Sequence, residues 1–451
     1  MLTELKTERK VIDLKTASHV LPIAPRTPQD TGLPFLFLIE LVTKVLSVRG
    51  QMQSVELAAH LKLNVNVLDA LIVFMRAEKL CEVVRRGGSG TDADLTYNLT
   101  DLGRAKANEF MTRNAYAGQA PVTLAAYCAQ VQAQSVADMR VVRADMAREF
   151  DDVVINPLVL DQLGAAMNSR RAIFIHGPAG SGKTYLAERL AGLLKGAILV
   201  PYAVLVDGEV VQVYDSLVHK SVTGAPVLGA AAFGAAEPTA SFDRGQSVDT
   251  RWVRAARPAV LTGGELTMEM LDLQYDPGTR FYQAPPHLKA NNGIFIIDDL
   301  GRQRCSPVEL MNRWIVPMDR HIDYLALHTG YKFLVPFDVI VVFSSNFPPE
   351  DLTDGAFLRR IGYKIHVGAL TEAQYEQIFK DMCQQYGIAY DNDAFHYLLR
   401  EHHYKESRPL LACYPRDILV QLRDLAMYEN RAPVLDEKVL DWAWNNYFVG
   451  A

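Results

Sequence analysis

Eight consecutive residues carry the clearest chemistry in this chain, because their spacing matches G-x-x-x-x-G-K-[ST]. A short apolar stretch, Ala172–Ile175, comes before them, and an amphipathic helical pattern begins at Lys183. Glycines let backbone N–H groups fold around phosphate oxygens, and the N-terminus of the following helix adds partial positive charge. Lys183 would reach the β- and γ-phosphates, and the Thr184 hydroxyl would hold Mg²⁺. The sequence therefore predicts a nucleoside triphosphate site formed by Gly177, Pro178, Ala179, Gly180, Ser181, Gly182, Lys183 and Thr184.

A second apolar segment ends in two neighbouring acids. Gly293–Leu300 reads GIFIIDDL, and such an uninterrupted apolar run is typical of a strand buried at the centre of a parallel sheet. The segment resembles a Walker B motif. In that role Asp298 would hold Mg²⁺ through water, and Asp299 would orient or deprotonate the water that attacks the terminal phosphate. The two acids therefore predict hydrolysis as well as binding.

The composition limits the class of protein. The chain has 451 residues and a net charge of −6, which suits about two to four domains and argues against a strongly basic nucleic-acid coat. Its five cysteines form no CxxC pair, so we expect reduced thiols in a cytoplasmic protein. The N-terminus lacks the apolar core of a signal peptide, and no apolar run approaches the ~20 residues of a membrane helix. We therefore expect no membrane association.

In residues 1–115 the sequence pattern predicts a loosely ordered arm followed by a small compact unit. Residues 1–31 carry mixed charges and prolines, which indicates the arm. Within residues 32–115 we expect several helices and a hairpin. Their predicted bounds are Leu33–Ser47, Ser54–Leu61, Val65–Lys79 and Thr100–Arg113 for the helices, with hairpin strands CEVVRR and LTYNLT.

This order of helices, hairpin and closing helix is similar to a winged-helix domain. The run YNLTDLGRAKA resembles the junction between wing and helix in MarR-type regulators. DNA is an alternative partner that the residues do not favour, since phosphate contacts need Lys or Arg. The helix that would read DNA offers Asn64, Asn66, Asp69 and Arg76, and Arg85 lies in the one basic pair nearby. A role in protein docking or oligomerisation is therefore preferred.

Two features lie in the sequence between the phosphate-binding turn, Gly177–Thr184, and the acidic segment, Gly293–Leu300. Residues 223–240 are rich in Gly and Ala, and we expect them to form a mobile loop. Arg251, Arg254 and Arg257 follow in a basic segment. We expect them to form a solvated face, and pairing with an acidic partner is the alternative.

From about Met139 to the C-terminus, the motifs taken in order resemble the AAA+ ATPases. The resemblance implies an α/β P-loop NTPase fold, with a parallel sheet sandwiched by helices over residues 139–370 and a helical lid over residues 371–451. Residues 116–138 would form a linker helix. In this family a short apolar stretch before the first strand touches the adenine, and Val153–Ile155 take that place. Plain core packing would explain the same residues.

Further site residues take their roles from this resemblance. Asn346, which ends the apolar segment Asp338–Asn346, corresponds to sensor 1, which positions the attacking water; a turn-forming Asn is the alternative. Arg360 corresponds to the arginine finger that enters the neighbouring subunit's site, and Arg359 is the other candidate. The alternative for both is a solvated pair. Arg416, in the run CYPRDIL, corresponds to sensor 2, which contacts the γ-phosphate.

A predicted hairpin narrows the resemblance to one subgroup of the family, and one residue departs from the family's usual sequence pattern. The runs IDYLAL and YKFLVP flank His328-Thr329-Gly330 and predict a hairpin just before Asn346. A hairpin there is similar to that of MoxR-like ATPases, magnesium-chelatase motors and enhancer-binding activators. The family pattern has Glu where this chain has Asp299, which is one methylene shorter. The departure leaves the hydrolysis rate open.

The resemblance implies a motor that binds ATP and Mg²⁺ and assembles as a homo-oligomeric ring, a hexamer in the family. Such a motor would remodel or assemble a protein partner, with the winged helix as its adaptor. Two alternatives stay open: a DNA-associated regulator, and a nucleotide switch that hydrolyses slowly. The sequence identifies no client.

Overall fold

The computed structural model describes residues 21–86, 95–222 and 247–448. The first 20 residues of the predicted arm, the tip of the predicted wing and the predicted loop at 223–240 lie outside these ranges. The strands of the described residues are β1 (Met52–Gln53), β2 (Cys81–Arg86), β3 (Leu95–Leu99), β4 (Val122–Thr123), β5 (Ala172–His176), β6 (Ala197–Pro201), β7 (Ala203–Val206), β8 (Glu209–Gln212), β9 (Trp252–Ala256), β10 (Ala259–Thr262), β11 (Gln274–Tyr275), β12 (Tyr282–Gln283), β13 (Gly293–Ile297), β14 (Ile322–Ala326), β15 (Lys332–Pro336), β16 (Val339–Ser345) and β17 (Ile361–His366).

The helices of the same residues are α1 (Phe35–Arg49), α2 (Ser54–Leu61), α3 (Val65–Ala77), α4 (Asp101–Arg113), α5 (Leu124–Ala133), α6 (Arg143–Glu149), α7 (Pro157–Met167), α8 (Lys183–Arg189), α9 (Pro286–Lys289), α10 (Pro307–Arg320), α11 (Pro349–Leu352), α12 (Gly355–Leu358), α13 (Glu372–Tyr386), α14 (Asn392–Tyr397), α15 (Cys413–Tyr428) and α16 (Glu437–Tyr447). A π-helical segment, Leu398–Tyr404, continues α14. In the described part of the chain no single helix has the length and apolarity to cross a membrane, and one bent pair, α2 with α3, passes that test.

The centre of the molecule is a five-stranded sheet in the order β10-β13-β16-β5-β17, with every neighbouring pair parallel. Side chains alternate between its two faces. On β5, Ile173 and Ile175 pack with apolar residues of α6, α7 and α8, whereas Phe174 packs with residues of α10. All five residues of β13 are buried, because helices cover both faces. The predicted fold class, an α/β P-loop NTPase fold with a parallel sheet between helices, is confirmed.

The N-terminal elements follow local signals in the sequence. Strands β2 and β3 pair antiparallel, and β1 adds to the other edge of β3. The Thr100 hydroxyl accepts a hydrogen bond from the backbone N–H of Gly103 over 3.0 Å, which satisfies one of the open donors at the start of α4. The predicted helices and hairpin are therefore present, with ends shifted by two residues or fewer.

A second, mixed sheet connects the N-terminal elements to the central sheet. Its order is β11-β12-β8-β7-β4, and β7 and β8 form a hairpin. Ala203 of β7 and Val210 of β8 belong to the same buried cluster as residues of α1 to α4. Phe281 packs edge-on against Tyr116 at the same contact, with ring centroids 5.3 Å apart. The N-terminal elements thus share one apolar core with this sheet.

The segment at 116–138 contains the predicted helix, α5, but its burial goes beyond that of a connector. Tyr127 and Val131 are buried against the mixed sheet. The Gln134 amide donates to the Leu199 carbonyl and to Asn292 Oδ1, both over 2.9 Å. The segment therefore holds the two sheets together. The boundaries drawn from the sequence at residues 31, 115, 138 and 370 stay predictions.

The expectation of a solvated face at Arg251 and Arg257 was wrong, because both side chains are buried. Arg251 forms an ion pair of 2.8 Å with the buried Asp249 and donates to the carbonyls of Thr31 and Pro121. Arg257 donates to backbone carbonyls, including that of Asn292. Both guanidinium groups donate to carbonyls that are distant in the chain, so local sequence could not indicate the burial.

Breaking the buried ion pair of Arg251 and Asp249 is expected to lower the stability of the fold substantially. Arg251→Met should leave the Asp249 carboxylate buried without its counter-charge, which typically costs about 3–5 kcal/mol. We expect a clear fall in the temperature of the first unfolding transition, measured by calorimetry. The matched control is Arg143→Met, which breaks an exposed pair with Asp161 that is worth about 0–1 kcal/mol. Equal melting temperatures for the two variants would contradict a structural role for the buried pair.

The C-terminal helices α13 to α16 pack around their own core. Tyr375 and Phe379 of α13 meet Leu419 of α15 and Leu440 and Trp444 of α16. The all-helical character of this part was predicted. It borders the central sheet at the end where the phosphate-binding turn lies, because the backbone N–H of Cys413 donates to the carbonyl of Gly180 over 3.1 Å.

Candidate nucleotide-binding site

The phosphate-binding turn connects the carboxyl end of β5 to the first residue of α8, as predicted. Three of its glycines, Gly177, Gly180 and Gly182, have φ angles of 150°, 84° and 93°. A Cβ atom on Gly177 would lie 2.1 Å from the carbonyl oxygen of Val367, and one on Gly180 would lie 2.4 Å from the Cys413 sulfur. Other residue types would therefore be strained or would clash here, so the turn requires glycine.

Lys183 lies at the start of α8 with its ammonium directed into the turn. The Nζ atom donates to the carbonyl of Pro178 and to Oδ1 of Asn346, each over 2.8 Å. Burial lowers the pKa of this lysine, and the nearby carboxylates of Asp299 and Asp298 act in the opposite direction. The ammonium is thus held between the turn and the strand that ends at Asn346.

Thr184 and Asp298 meet across the sheet. The Thr184 hydroxyl lies 2.9 Å from both carboxylate oxygens of Asp298. Hydroxyl and carboxylate oxygens are ligands that Mg²⁺ accepts, and Mg²⁺ at such sites takes its remaining ligands from phosphates and water. Among the described residues no group of three or more His, Cys, Asp or Glu side chains forms a metal cage. The pair therefore fits a metal that arrives with a phosphate ligand.

Asn346 contacts two of the other predicted site residues. Its Oδ1 accepts from Lys183, and its Nδ2 donates to Oδ1 of Asp299 over 2.9 Å. The two contacts fix which end of the amide faces which neighbour. Asp299 itself has a φ of 49°, which Asp tolerates better than most residues. The structure thus places the residues that the sequence assigned to binding and hydrolysis in one connected group.

A cavity of about 1290 Å³ opens above the turn, between the central sheet and the C-terminal helices. Residues 179–184, Asp299 and Asn346 are part of its lining. Leu158 of α7 and Ile378 and Met382 of α13 add apolar side chains to the same lining. The cavity therefore offers both polar groups for phosphates and apolar surface for a flat base.

The stretch Val153–Ile155 also lines this cavity. Val153 and Ile155 are also partly buried against the core cluster that includes α6 and α7. The two interpretations from the sequence, base contact and core packing, are therefore compatible in the structure. Contact with adenine stays a prediction.

Arg416 is in the first turn of α15 and lines the same cavity. Its side chain is 62% exposed and donates through Nε to Oδ1 of Asp417 over 3.0 Å. A guanidinium at this position has room to turn toward a phosphate. The structure brings Arg416 to the cavity, while its role as sensor 2 stays a prediction.

The two finger candidates lie elsewhere. Neither Arg359 nor Arg360 lines the cavity of its own chain. Both precede β17, and Arg360 forms an ion pair of 2.8 Å with Asp319 of α10. Action on a neighbouring subunit stays a prediction for both residues.

Two site residues were missed in the sequence. Arg302 lines the cavity beside Asp299, and the Gln303 amide donates to the carbonyl of Asp298 over 2.7 Å. Both follow the acidic pair directly, in the run DDLGRQR. Polar residues immediately after a strand that ends in two acids were the available signal, since the next turn must stay at the same edge of the sheet.

One family model matches the C-terminal helices, and several solved structures have similar folds. A family described as a domain of unknown function, DUF8689, matches residues 371–446, which are the C-terminal helices. No curated protein matches the chain. Solved structures with similar folds include NtrX from Brucella abortus, with a TM-score of 0.41 and 15% identity over 68% of this chain and 60% of that one. This chain therefore spans less than two thirds of the NtrX chain.

Two further structures are similar at the same level. NtrX in complex with ATP has a TM-score of 0.37 and 16% identity, over 66% of this chain and 59% of that one. The Thermotoga maritima RuvB Holliday junction branch migration motor has a TM-score of 0.36 and 11% identity, over 65% of this chain and 70% of that one.

Proposed function

We propose that this protein is an AAA+ motor that binds ATP with Mg²⁺, hydrolyses it, and uses the cycle to remodel or assemble a protein partner. The observation that supports this best is the connected group in which Asn346 joins Lys183 to Asp299, with the pair of Thr184 and Asp298 beside it. Nucleotide binding alone would need only Lys183 and the turn. Hydrolysis also needs a carboxylate that activates water, and Asp299, which is hydrogen-bonded to the Asn346 amide, supplies it.

In the proposed reaction each residue has one task. Backbone N–H groups of the turn and Lys183 bind the phosphates. Thr184 and Asp298 would hold Mg²⁺, which neutralises phosphate charge when bound. Asp299 accepts a proton from the attacking water or orients it, and Asn346 fixes the position of that carboxylate.

The C-terminal helices would act as a lid that responds to the nucleotide. They form one wall of the cavity through α13, and the Cys413 N–H contacts the phosphate-binding turn directly. Arg416 extends from the same helix as Cys413, so a contact to the γ-phosphate would pull α15 toward the turn. Loss of that phosphate would release it. This motion would couple hydrolysis to a change in shape.

We also propose a homo-oligomeric ring, a hexamer by the family resemblance, in which Arg360 completes the neighbour's site. Support comes from its absence from the cavity of its own chain and from its place on the segment before β17. The β14–β15 hairpin, which pairs antiparallel as predicted, would mark the MoxR-like or activator-like subgroup. Five cysteines without disulfides suit the cytoplasm as its location.

The ring can be tested by mixing two inactive variants. Arg360→Ala lacks the finger and Lys183→Ala lacks the binding lysine, so each should show little ATPase activity alone. In a mixed ring, some sites combine an intact Lys183 with a neighbour's intact Arg360, and we expect activity to return there. Turnover is measured after co-assembly, which is verified by affinity capture of one variant with the other. Confirmed co-assembly without any gain in turnover would contradict a finger in trans.

The N-terminal elements would form a winged-helix adaptor for a protein. The outward face of α3 presents Asn66, Ala70, Val73 and Arg76, and Val73 is 66% exposed. Arg76 is the single cation of this helix, which offers little to DNA phosphates because they are bound by several Lys or Arg side chains. A DNA-associated regulator is the alternative, and it would show as salt-dependent retention of a DNA duplex by the full chain.

A slowly hydrolysing switch is a further candidate, which one observation favours. Asp299 has a shorter side chain than the Glu of the family pattern, and one of its oxygens is already bonded to Asn346. A carboxylate that is shorter and partly occupied has less reach toward the attacking water. The turnover of the unmodified protein distinguishes the two, since a motor needs about 1 s⁻¹ or more and a switch works far below that rate.

A further inference from the structure

A tight turn after β13 brings a further cation, Arg302, to the cavity that Lys183 and Arg416 also line. The backbone N–H of Arg302 donates to the carbonyl of Asp299 over 2.9 Å, which closes a four-residue turn. In such a turn the Cα atoms of the first and last residues lie within about 7 Å of each other. Arg302 is therefore a near neighbour of Asp299, and both residues line the cavity.

The Gln303 side chain holds this turn from both ends. Its Nε2 donates to the carbonyls of Asp298 and Asp299, over 2.7 Å and 3.2 Å, and its Oε1 accepts from the backbone N–H of Gly301. Gly301 has a φ of 107°, a conformation that favours glycine. The backbone that carries Arg302 is thus fixed relative to the acidic pair, while the Arg302 side chain itself is exposed.

The charges around Arg302 leave its guanidinium available for a ligand. In residues 21–86, 95–222 and 247–448, no acidic side chain forms an ion pair with Arg302, whereas Arg360 pairs with Asp319. Guanidinium groups bind phosphate oxygens through paired hydrogen bonds. The other charged residue of this turn is Asp299. The proposed reaction places Asp299 next to the terminal phosphate.

We propose that Arg302 binds the γ-phosphate of the nucleotide held by its own chain. The inference rests on the proposed function and deepens it, because it adds a cation in cis to a site whose finger was assigned to a neighbouring subunit. The turn connects Arg302 through Gln303 to the backbone of both acids. A contact to the γ-phosphate would therefore also steady the residues that act on the attacking water.

The test compares ligands with and without a γ-phosphate. Arg302→Ala and the matched control Arg304→Ala remove exposed arginines from the same loop, and Arg304 does not line the cavity. Affinities for ADP and for a non-hydrolysable ATP analogue are measured by calorimetric titration with Mg²⁺. For Arg302→Ala we expect the analogue to bind about 10- to 100-fold more weakly and ADP to bind within about twofold of wild type. ATP turnover should fall at saturating ATP, and Arg302→Lys should restore part of it.

Mixing experiments then separate cis from trans action. If Arg302 acts within its own chain, mixed rings of Arg302→Ala and Lys183→Ala subunits contain no complete site, and turnover should not rise above that of the separate variants. A rise would overturn action in cis. Equal ratios of analogue to ADP affinity in Arg302→Ala and Arg304→Ala would overturn the γ-phosphate contact. Failure of the wild-type chain to bind either nucleotide would instead contradict the proposed function.

Discussion

Lys183→Ala is expected to lose ATP binding by roughly 100-fold or more. The substitution removes a charge-assisted contact to two phosphates, and one such contact is worth about 1.5–3 kcal/mol. It also leaves the Asn346 oxygen without the donor that now lies 2.8 Å away, so the amide is free to turn and release Asp299. Calorimetric titration with Mg²⁺ and ATP measures the loss directly.

The control for this prediction is Lys438→Ala. Lys438 is an exposed lysine in α16 that does not line the cavity, so its removal changes the net charge equally without touching the site. We expect wild-type affinity and wild-type turnover from that variant. Retained affinity in Lys183→Ala, with the fold intact by circular dichroism, would contradict the assignment of the turn as the phosphate site.

Asp299→Asn is expected to bind ATP normally and to lower turnover about 100-fold or more, the usual contribution of a general base. Asparagine keeps an oxygen that accepts from Asn346 Nδ2, and it tolerates the positive φ at this position. The substitution therefore removes the charge and the basicity while preserving the geometry. Steady-state phosphate release and equilibrium ATP binding, measured on the same preparation, report the two effects separately.

Asp298→Asn provides the matched contrast, since the two acids are adjacent but have different neighbours. Asp298 meets the Thr184 hydroxyl, so its amide variant should weaken the Mg²⁺-dependent part of ATP affinity. Unchanged turnover in Asp299→Asn would remove that residue from the role of base. If the variant does stall with ATP bound, it becomes a trap, and affinity capture with it should retain the client protein.

Much of the N-terminal architecture was predictable because its signals are local. The bounds predicted for Ser54–Leu61 match those of α2, and those of the strand at 81–86 match β2. The hydroxyl of Thr100 caps α4. Apolar periodicity and capping residues act over a few positions, so they can be read without knowing the neighbours in space.

Burial of polar groups was not predictable in the same way. Arg251 resembles a solvated arginine in sequence, yet carbonyls of Thr31 and Pro121 surround it. These groups lie far from it along the chain, and only folding brings them together. The same holds for the 116–138 segment, whose Gln134 reaches Asn292 over more than 150 positions.

The sequence by itself determined the phosphate-binding turn, the acidic pair and their order, because glycine spacing and residue chemistry alone restrict what those positions can do. The tertiary structure decided how they cooperate. Parallel strands end at one edge of a sheet, so Lys183, Asp299 and Asn346, which lie more than a hundred positions apart at their extremes, became hydrogen-bonded neighbours. The same edge received Arg302, whose place next to Asp299 depends on a turn held by Gln303. Such contacts depend on distances in space, which spacing along the chain does not encode.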